Sequence, residues 1–216
     1  KALALGQHLA TTPGQLAEDA AAIEIERLGD PVGKQDQYVA AHGGICAYTF
    51  EADGTVGVQP LILSDDTLSA LRNNLLLFFT GEERSAATIL SDQAERSKAG
   101  EQEMTENLHR TKELGRRSCE LLEAGDLEAY AELMHEHWEN KRKRSSGMTS
   151  ERIDTLYTLA RRSGAIGGKL VGAGGGGFLL VYATRPDDTR LAMAAAGAPE
   201  LRFEFEFQGC VGSEFR

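Results

Sequence analysis

Residues 167–182 read GGKLVGAGGGGFLLVY, and the fold is decided by how that run is divided. Gly167–Val171 and Phe178–Thr184 have the apolar pattern of strands, and a glycine cluster, Gly172–Gly177, separates them. The cluster formally satisfies G-x-G-x-x-G. A dinucleotide fold needs a helix after that motif, so that the helix N-terminus can hold a pyrophosphate. A strand-like run follows here instead, and strand–loop–strand is the expectation. Four successive glycines, Gly174–Gly177, permit positive φ and let a backbone or a phosphate approach closely. The residues alone leave two readings open: a tight turn packed on a neighbour, or a loop that binds phosphate.

Upstream of this run, from Ser85 to about Gly164, Gly and Pro nearly vanish and charges interleave with Leu, Met and Ala. That pattern predicts three or four amphipathic helices, broken near Gly100, at Gly125-Asp126 and near Gly147. Leu75–Phe79 (LLLFF) has strand length and suggests a strand buried on both faces. Downstream, Pro186–Ala196 reads as a short helix and Leu201–Phe207 (LRFEFEF) as a half-exposed strand. With strands at both ends and helices between them, the fold class is α+β.

The first sixty residues add a helix pair and a hairpin. Lys1–Ala10 reads as the tail of a helix. Thr12-Pro13 is a helix start, because Thr can cap and Pro suits the first helical position. The helix runs to about Leu28 with Leu16, Ala20 and Ile23 on one face, Ile25 on the other, and Gly29 and Pro31 as stops. Gly43-Gly44 signals a turn, Ile45–Phe50 a strand, and Asp53-Gly54 a hairpin returning through Val56–Leu63. Between helix and hairpin, Pro31–Gln37 packs an acid, two amides and a Lys into what reads as a turn. An Asp there can act as a base toward a hydroxyl or simply bond its own backbone. Glu24, twelve residues before Asp36, can face the same site as a Mg²⁺ ligand, or be a solvated helix carboxylate.

Composition narrows the classes. Lys+Arg number 23 against 33 Asp+Glu, a net charge of −10, which argues against nucleic acid as a partner. No uncharged apolar stretch approaches the roughly 20 residues that span a bilayer, so a membrane is not an expected partner. Cys46, Cys119 and Cys210 are scattered, which fits neither a disulfide framework nor a zinc site and suits a reducing, cytoplasmic setting.

Taken in order, EIERLGDPVGKQDQYVAAHGG (24–44), LLLFFTGEER (75–84) and GGKLVGAGGGGFLLVY (167–182) resemble the GHMP kinases, and within them the heptose 7-phosphate kinase type. The last segment is similar to the family's third signature motif, and GKQDQY is similar to the subgroup's catalytic turn. The resemblance spans nearly the whole chain. It implies the remainder of a ribosomal-protein-S5-like N-terminal domain over residues 1–62. A ferredoxin-like C-terminal domain with extra helices follows over 63–216. It implies transfer of the γ-phosphoryl of ATP, with Mg²⁺, to a hydroxyl of a small sugar phosphate. The expected acceptor is the anomeric hydroxyl of D-glycero-D-manno-heptose 7-phosphate. Asp36 resembles the acid that activates or orients that hydroxyl, and Glu24 the Mg²⁺ ligand, with Glu26 as fallback. Gly33, Gln35 and Gln37 fall in the substrate-binding turn. Gly174, Gly175, Gly176 and Gly177 resemble the loop beside the nucleotide phosphates. Thr80, Gly81 and Arg84 match a subgroup segment, with Arg84 expected to grip the acceptor's own phosphate or else to be a surface residue at a helix start.

Two alternatives stand beside this reading: a GHMP kinase for another small acceptor, and a non-catalytic relative that binds sugar or nucleotide. The family's second motif, a phosphate cradle, lies upstream of Lys1, so the chain alone is expected to transfer phosphate poorly or not at all. A homodimer is compatible with the sequence. Among other features, Lys141–Arg144 is a dense basic run, either a solvated helix end or a phosphate clamp led by Lys141 and Arg142. Lys169, just before the glycine cluster, can touch phosphate or be an exposed strand residue. His135 and His137 are two apart and cannot readily share a metal on a helix.

Overall fold

The computed structural model describes Ala2, Gly6, residues 10–82 and residues 86–212. The chain divides into two compact units, Lys1–Leu61 with Phe205–Arg216, and Ile62–Glu204. The expected helix tail at Lys1–Ala10 lies mostly outside the described residues, though Ala2 and Gly6 are helical.

In the first unit, α1 (Pro13–Ala21) begins as its sequence dictates. Thr12 accepts a hydrogen bond from the Gln15 N–H at 3.2 Å, and Pro13 opens the first turn. The helix then widens into a π-helical turn over Ala22–Arg27, with the Leu28 N–H reaching back five residues to the Ile23 carbonyl. The expected apolar face is corrected here. Ala17 and Ala21 are the buried pair, packed against Tyr38 and Ala41, while Ile23 sits in the widened turn and is 47% exposed. Small alanines let α1 approach its neighbour closely, and the extra residue in the turn rotates Ile23 outward.

That neighbour is α2 (Gln35–His42). The segment around Asp36 is therefore not a turn, because nothing in QDQYVAAH breaks a helix before Gly43, whose φ is +66°. β1 (Cys46–Phe50) and β2 (Val56–Pro60) pair antiparallel, Phe50 opposite Val56. Asp53 closes the hairpin by accepting from the Thr55 N–H and hydroxyl at 2.9 and 2.7 Å. The returning C-terminal segment belongs to this unit: Gly44 N–H donates to the Glu206 carbonyl and Cys210 N–H to the Ala41 carbonyl.

The second unit starts with α3 (Asp65–Asn74), capped by Ser64, and β3 (Leu75–Phe79). Four helices follow, α4 (Ala86–Lys98), α5 (Gln102–Ala124), α6 (Leu127–Arg142) and α7 (Glu151–Arg162). Their breaks fall where glycine was expected to place them. Gly125 adopts φ +73° and closes α5, and the Asp126 side chain then caps α6. β4 (Ala165–Leu170), β5 (Phe178–Ala183) and α8 (Pro186–Ala195) complete the unit. The sheet is antiparallel in the order β3-β5-β4.

Leu76 and Phe78 are buried while Leu75, Leu77 and Phe79 are only half-buried, so β3 alternates rather than being enclosed on both faces. Leu201–Phe207 is not a strand. Glu200, just before it, bridges to Phe78, and the Leu201 N–H donates to the Leu77 carbonyl before the backbone leaves for Gly44. The core gathers Trp138, Leu76, Phe78, Ile153, Leu179 and Val181 between sheet and helices.

At Gly167 the β4 backbone touches α6, where a Cβ would overlap the Ala131 carbonyl oxygen. Gly167→Ala should therefore lower stability by about 3 kcal/mol, as forced overpacking does. Gly115→Ala, in the open middle of α5 with nothing near its Cβ position, should raise it by ~1 kcal/mol. Urea denaturation midpoints of the two variants check both signs.

Candidate functional site

In the first unit, Asp36 lies exposed in the first turn of α2, its carboxylate bonded to no described residue. Lys34 fixes the start of that helix. Its ammonium donates to both Glu18 oxygens at 3.0 and 2.9 Å and to the Gly54 carbonyl at 3.0 Å, joining α1, α2 and the hairpin. Glu18 also accepts from the Tyr38 hydroxyl at 2.5 Å. The bonds from Lys34 and Tyr38 hold the Glu18 carboxyl below its usual value. Burial, with Glu18 beside it, pushes the Tyr38 phenol up to about 12. A cavity of about 430 Å³ lies here, lined by Gly33, Lys34, Gln35, Phe50, Glu51, Gly54 and Thr55. That volume falls in the range of small-molecule pockets.

Glu24 sits in the π-helical turn and accepts from the Gln37 amide, while Gln37 Oε1 is buried without a partner among the described residues. Glu26 is exposed. No group of three His, Cys, Asp or Glu among the described residues is arranged to hold a metal.

In the second unit the glycine loop is pinned at three points. Gly175 N–H donates to the Met148 carbonyl at 2.9 Å, and Gly177 N–H to the Glu82 carbonyl at 2.8 Å. The Gly177 carbonyl accepts from both the N–H and the hydroxyl of Thr80, each at 2.9 Å. Gly174, at φ +117°, lies against the Met148 sulfur, where a Cβ would overlap it. Before and between these pins, the N–H groups of Gly172, Gly174 and Gly176 donate to no described residue. Alternating pinned and free amides with positive φ form the kind of concavity that takes an anion. Met148 and Thr80 as loop anchors were not expected in these roles, since both depend on approaches between distant segments.

The basic run divides sharply. Arg142 donates to Glu139 at 3.1 Å and Asp154 at 3.0 Å, with its guanidinium over Trp138. Two carboxylates already neutralise it, which weighs against its expected part in a phosphate clamp. Lys141 is 7% exposed, and its ammonium donates to the Leu170 carbonyl at 3.0 Å and the Gly172 carbonyl at 2.5 Å. Burial, with Lys169 and Arg144 near, drops it to about 7. Burial likewise lowers Lys169, with Arg144 adding to it. His137 falls to about 3 through burial and the same cations. His135 instead bonds the Tyr157 hydroxyl at 2.7 Å, so the two histidines serve different faces. Arg84 lies outside the described residues.

Residues 119–198, which hold α6, α7, β4, the glycine loop and β5, match the family model for the C-terminal domain of GHMP kinases. The chain carries a GHMP kinase C-terminal domain. It is 32% identical over 168 residues to the D-glycero-alpha-D-manno-heptose 7-phosphate kinase of Campylobacter jejuni, covering 78% of this chain and 49% of that protein. A bifunctional fucokinase/GDP-fucose pyrophosphorylase of Arabidopsis thaliana is 30% identical over 182 residues, 83% of this chain and 16% of that one. The crystal structure of a D-glycero-D-manno-heptose 1-phosphate kinase from Bacteriodes thetaiotaomicron matches with a TM-score of 0.71 at 25% identity. It covers 97% of this chain and 57% of that one. The chain thus spans about half the length of the heptose 7-phosphate kinase and a small part of the bifunctional protein. The mixed helix-and-sheet architecture is that of GHMP kinases. Among the described residues no helix is long and apolar enough to cross a membrane.

The buried lysines of this GHMP kinase domain make its stability depend on pH. Both folded values are lowered, that of Lys141 to about 7, so from there up to the unfolded value of ~10.4 the unfolded chain binds more protons. Stability should rise with pH across that window, by at most ~1.4 kcal/mol per pH unit for each lysine. Above pH ~10 the raised Tyr38, Tyr48 and Tyr157 reverse the trend. Urea midpoints from pH 7 to 9.5 should climb in the wild type and climb less in Lys141→Met.

Proposed function

We propose that this chain is part of an ATP-dependent, cytoplasmic sugar-phosphate kinase. Residues 1–62 are read as the end of its N-terminal domain and 63–216 as its C-terminal domain. The division of the chain after Leu61 supports the first boundary, whereas Phe205–Arg216 groups with the first unit rather than with the second. The proposed acceptor is the anomeric hydroxyl of D-glycero-D-manno-heptose 7-phosphate. The observation that carries the reading is the glycine loop. It is anchored by Thr80, Glu82 and Met148, with amides that bond no described residue, inside a domain segment that matches GHMP kinases. The names of the Campylobacter jejuni and Bacteriodes thetaiotaomicron relatives support a heptose phosphate as acceptor.

In this reading Asp36 takes the hydroxyl side of the reaction. A free, exposed carboxylate at a fixed helix start can accept the acceptor's hydroxyl hydrogen and aim the oxygen. Gly33, Gln35 and Gln37 border the sugar. The amides of the Gly174–Gly177 segment take phosphate oxygens, with no proton to move. Magnesium neutralises the phosphate oxygens of ATP when it is bound with the nucleotide. Glu24 would hold it, and Gln37 Oε1, buried without a partner among the described residues, is a further hard oxygen in the same place. Mg²⁺ commonly takes only one or two protein carboxylates, so the lack of a three-carboxylate cluster among the described residues is compatible with that role.

A second reading, a kinase for a sugar that carries no phosphate, rests on the match to the Arabidopsis thaliana fucokinase fusion. Phosphorus NMR separates the two. The full-length protein, given Mg·ATP and a panel of sugars and sugar phosphates, should yield a sugar 1-phosphate signal only from the phosphorylated heptose. Asp36→Ala should reduce its rate by about 100-fold or more. Transfer to unphosphorylated sugars alone would establish the second reading. No transfer to any acceptor would leave a non-catalytic binder and overturn both.

A further inference from the structure

Lys169 sits two residues after Gly167 on β4, so it faces the same side of the strand, toward α6. On α6, His137 and Lys141 are four residues apart and share one stripe. Arg144 follows just beyond the helix end. Its guanidinium is held by the Asn107 and Thr111 side-chain oxygens, both neutral. Lys141 is likewise held only by carbonyls. Lys169 and His137 bond to no described residue. Among the described residues no carboxylate bonds to Lys141, Lys169, His137 or Arg144, and the two that come near, Glu103 and Glu106, line a cavity on the α5 side of Arg144.

Three partly buried cations with no ion-paired carboxylate among the described residues are costly unless something supplies the charge. The contrast with Arg142, a single residue from Lys141 and ion-paired twice, makes the vacancy of negative charge specific to this face. The cluster also touches the glycine loop directly, through the bond from Lys141 to the Gly172 carbonyl. Beside that carbonyl lie the unpaired amides of the loop.

We infer that Lys169, Lys141 and Arg144 form a binding site for a phosphate-type dianion at the start of the glycine loop. Such a dianion satisfies Lys169, extends the donor set of Lys141 and Arg144, and lies within the reach of loop amides. The dianion has two natural sources, the phosphate of a phosphorylated sugar or a phosphate of a nucleotide. That it is one of these rests on the kinase reading; that the site takes a phosphate does not.

The test is a set of calorimetric titrations of the full-length protein and its Lys169→Met variant with inorganic phosphate, mannose 6-phosphate and ADP. Lys143→Met, at an exposed position, is the control. Phosphate binding should weaken about tenfold or more in Lys169→Met and stay within about twofold in Lys143→Met. Because Lys169 has no described partner, Lys169→Met should fold, and without anion it should be at least as stable as the wild type. Adding about 10 mM phosphate should raise the urea midpoint of the wild type and not of the variant. If only mannose 6-phosphate weakens among the two organic probes, the site holds the acceptor's phosphate. If only ADP weakens, it holds the nucleotide's. Equal phosphate binding by variant and wild type, or no binding by the wild type, overturns the site. Failure of phosphoryl transfer with Lys169-dependent phosphate binding intact would instead sink the kinase reading alone.

Discussion

The contact on which the second unit depends is the meeting of two backbones at Gly167. There the strand and α6 come so close that no side chain fits between them. Close packing of this kind is rigid, because it leaves no soft side chain to absorb a displacement. It sets the height of α6 above the sheet. That height buries Trp138 in the core and brings the Lys141 ammonium onto the carbonyls that open the glycine loop. A larger residue at 167 would lift the helix and withdraw that lysine from the loop.

The loop itself is shaped from outside. Glycine gives it conformational freedom, and freedom alone would give an ensemble. Thr80, Glu82 and Met148, from two other stretches of chain, remove most of that freedom at Gly175 and Gly177. What remains is a set of amides with fixed positions and no partner among the described residues. This is preorganisation in the sense that matters for charge binding: the dipoles are oriented before any ligand arrives.

Much of the architecture is legible in the sequence, because local signals agree. The strand–loop–strand run, the breaks at Gly100 and Gly125, the Thr12 cap and the Asp53 hairpin each follow from residues within a few positions of one another. The misreadings are of a different kind. Gly33 and Pro31 suggested a turn that ends sooner than expected, so Asp36 opens a helix. Ile23 follows the helical period but lies in a π-helical turn that the period does not encode. The alternation of Leu201–Phe207 is real, yet its backbone finds two separate partners and no ladder. Site chemistry is harder still. Arg142 and Lys141 are adjacent in sequence and look equivalent. Only the arrival of Asp154 from α7 and of Leu170 and Gly172 from β4 and its loop tells them apart. The isolation of Lys169 is a property of what is not nearby, and no local pattern carries that.

The first unit is assembled from both sides of the second. Gly44 and Ala41 are bonded by Glu206 and Cys210, and Gly43 packs against Gly209 with no room for a methyl group. During synthesis, the whole of Ile62–Glu204 leaves the ribosome before those partners exist. The second unit is continuous in sequence and can close while the chain is still growing. The first must wait more than 140 residues, from Leu61 to Phe205, for its last piece. Over that interval the α2–β1 corner is a half-built surface with unpaired backbone groups, the kind of intermediate on which nascent chains misassemble. The order of emergence therefore favours early, independent formation of the glycine-loop unit and late completion of the unit that bears Asp36.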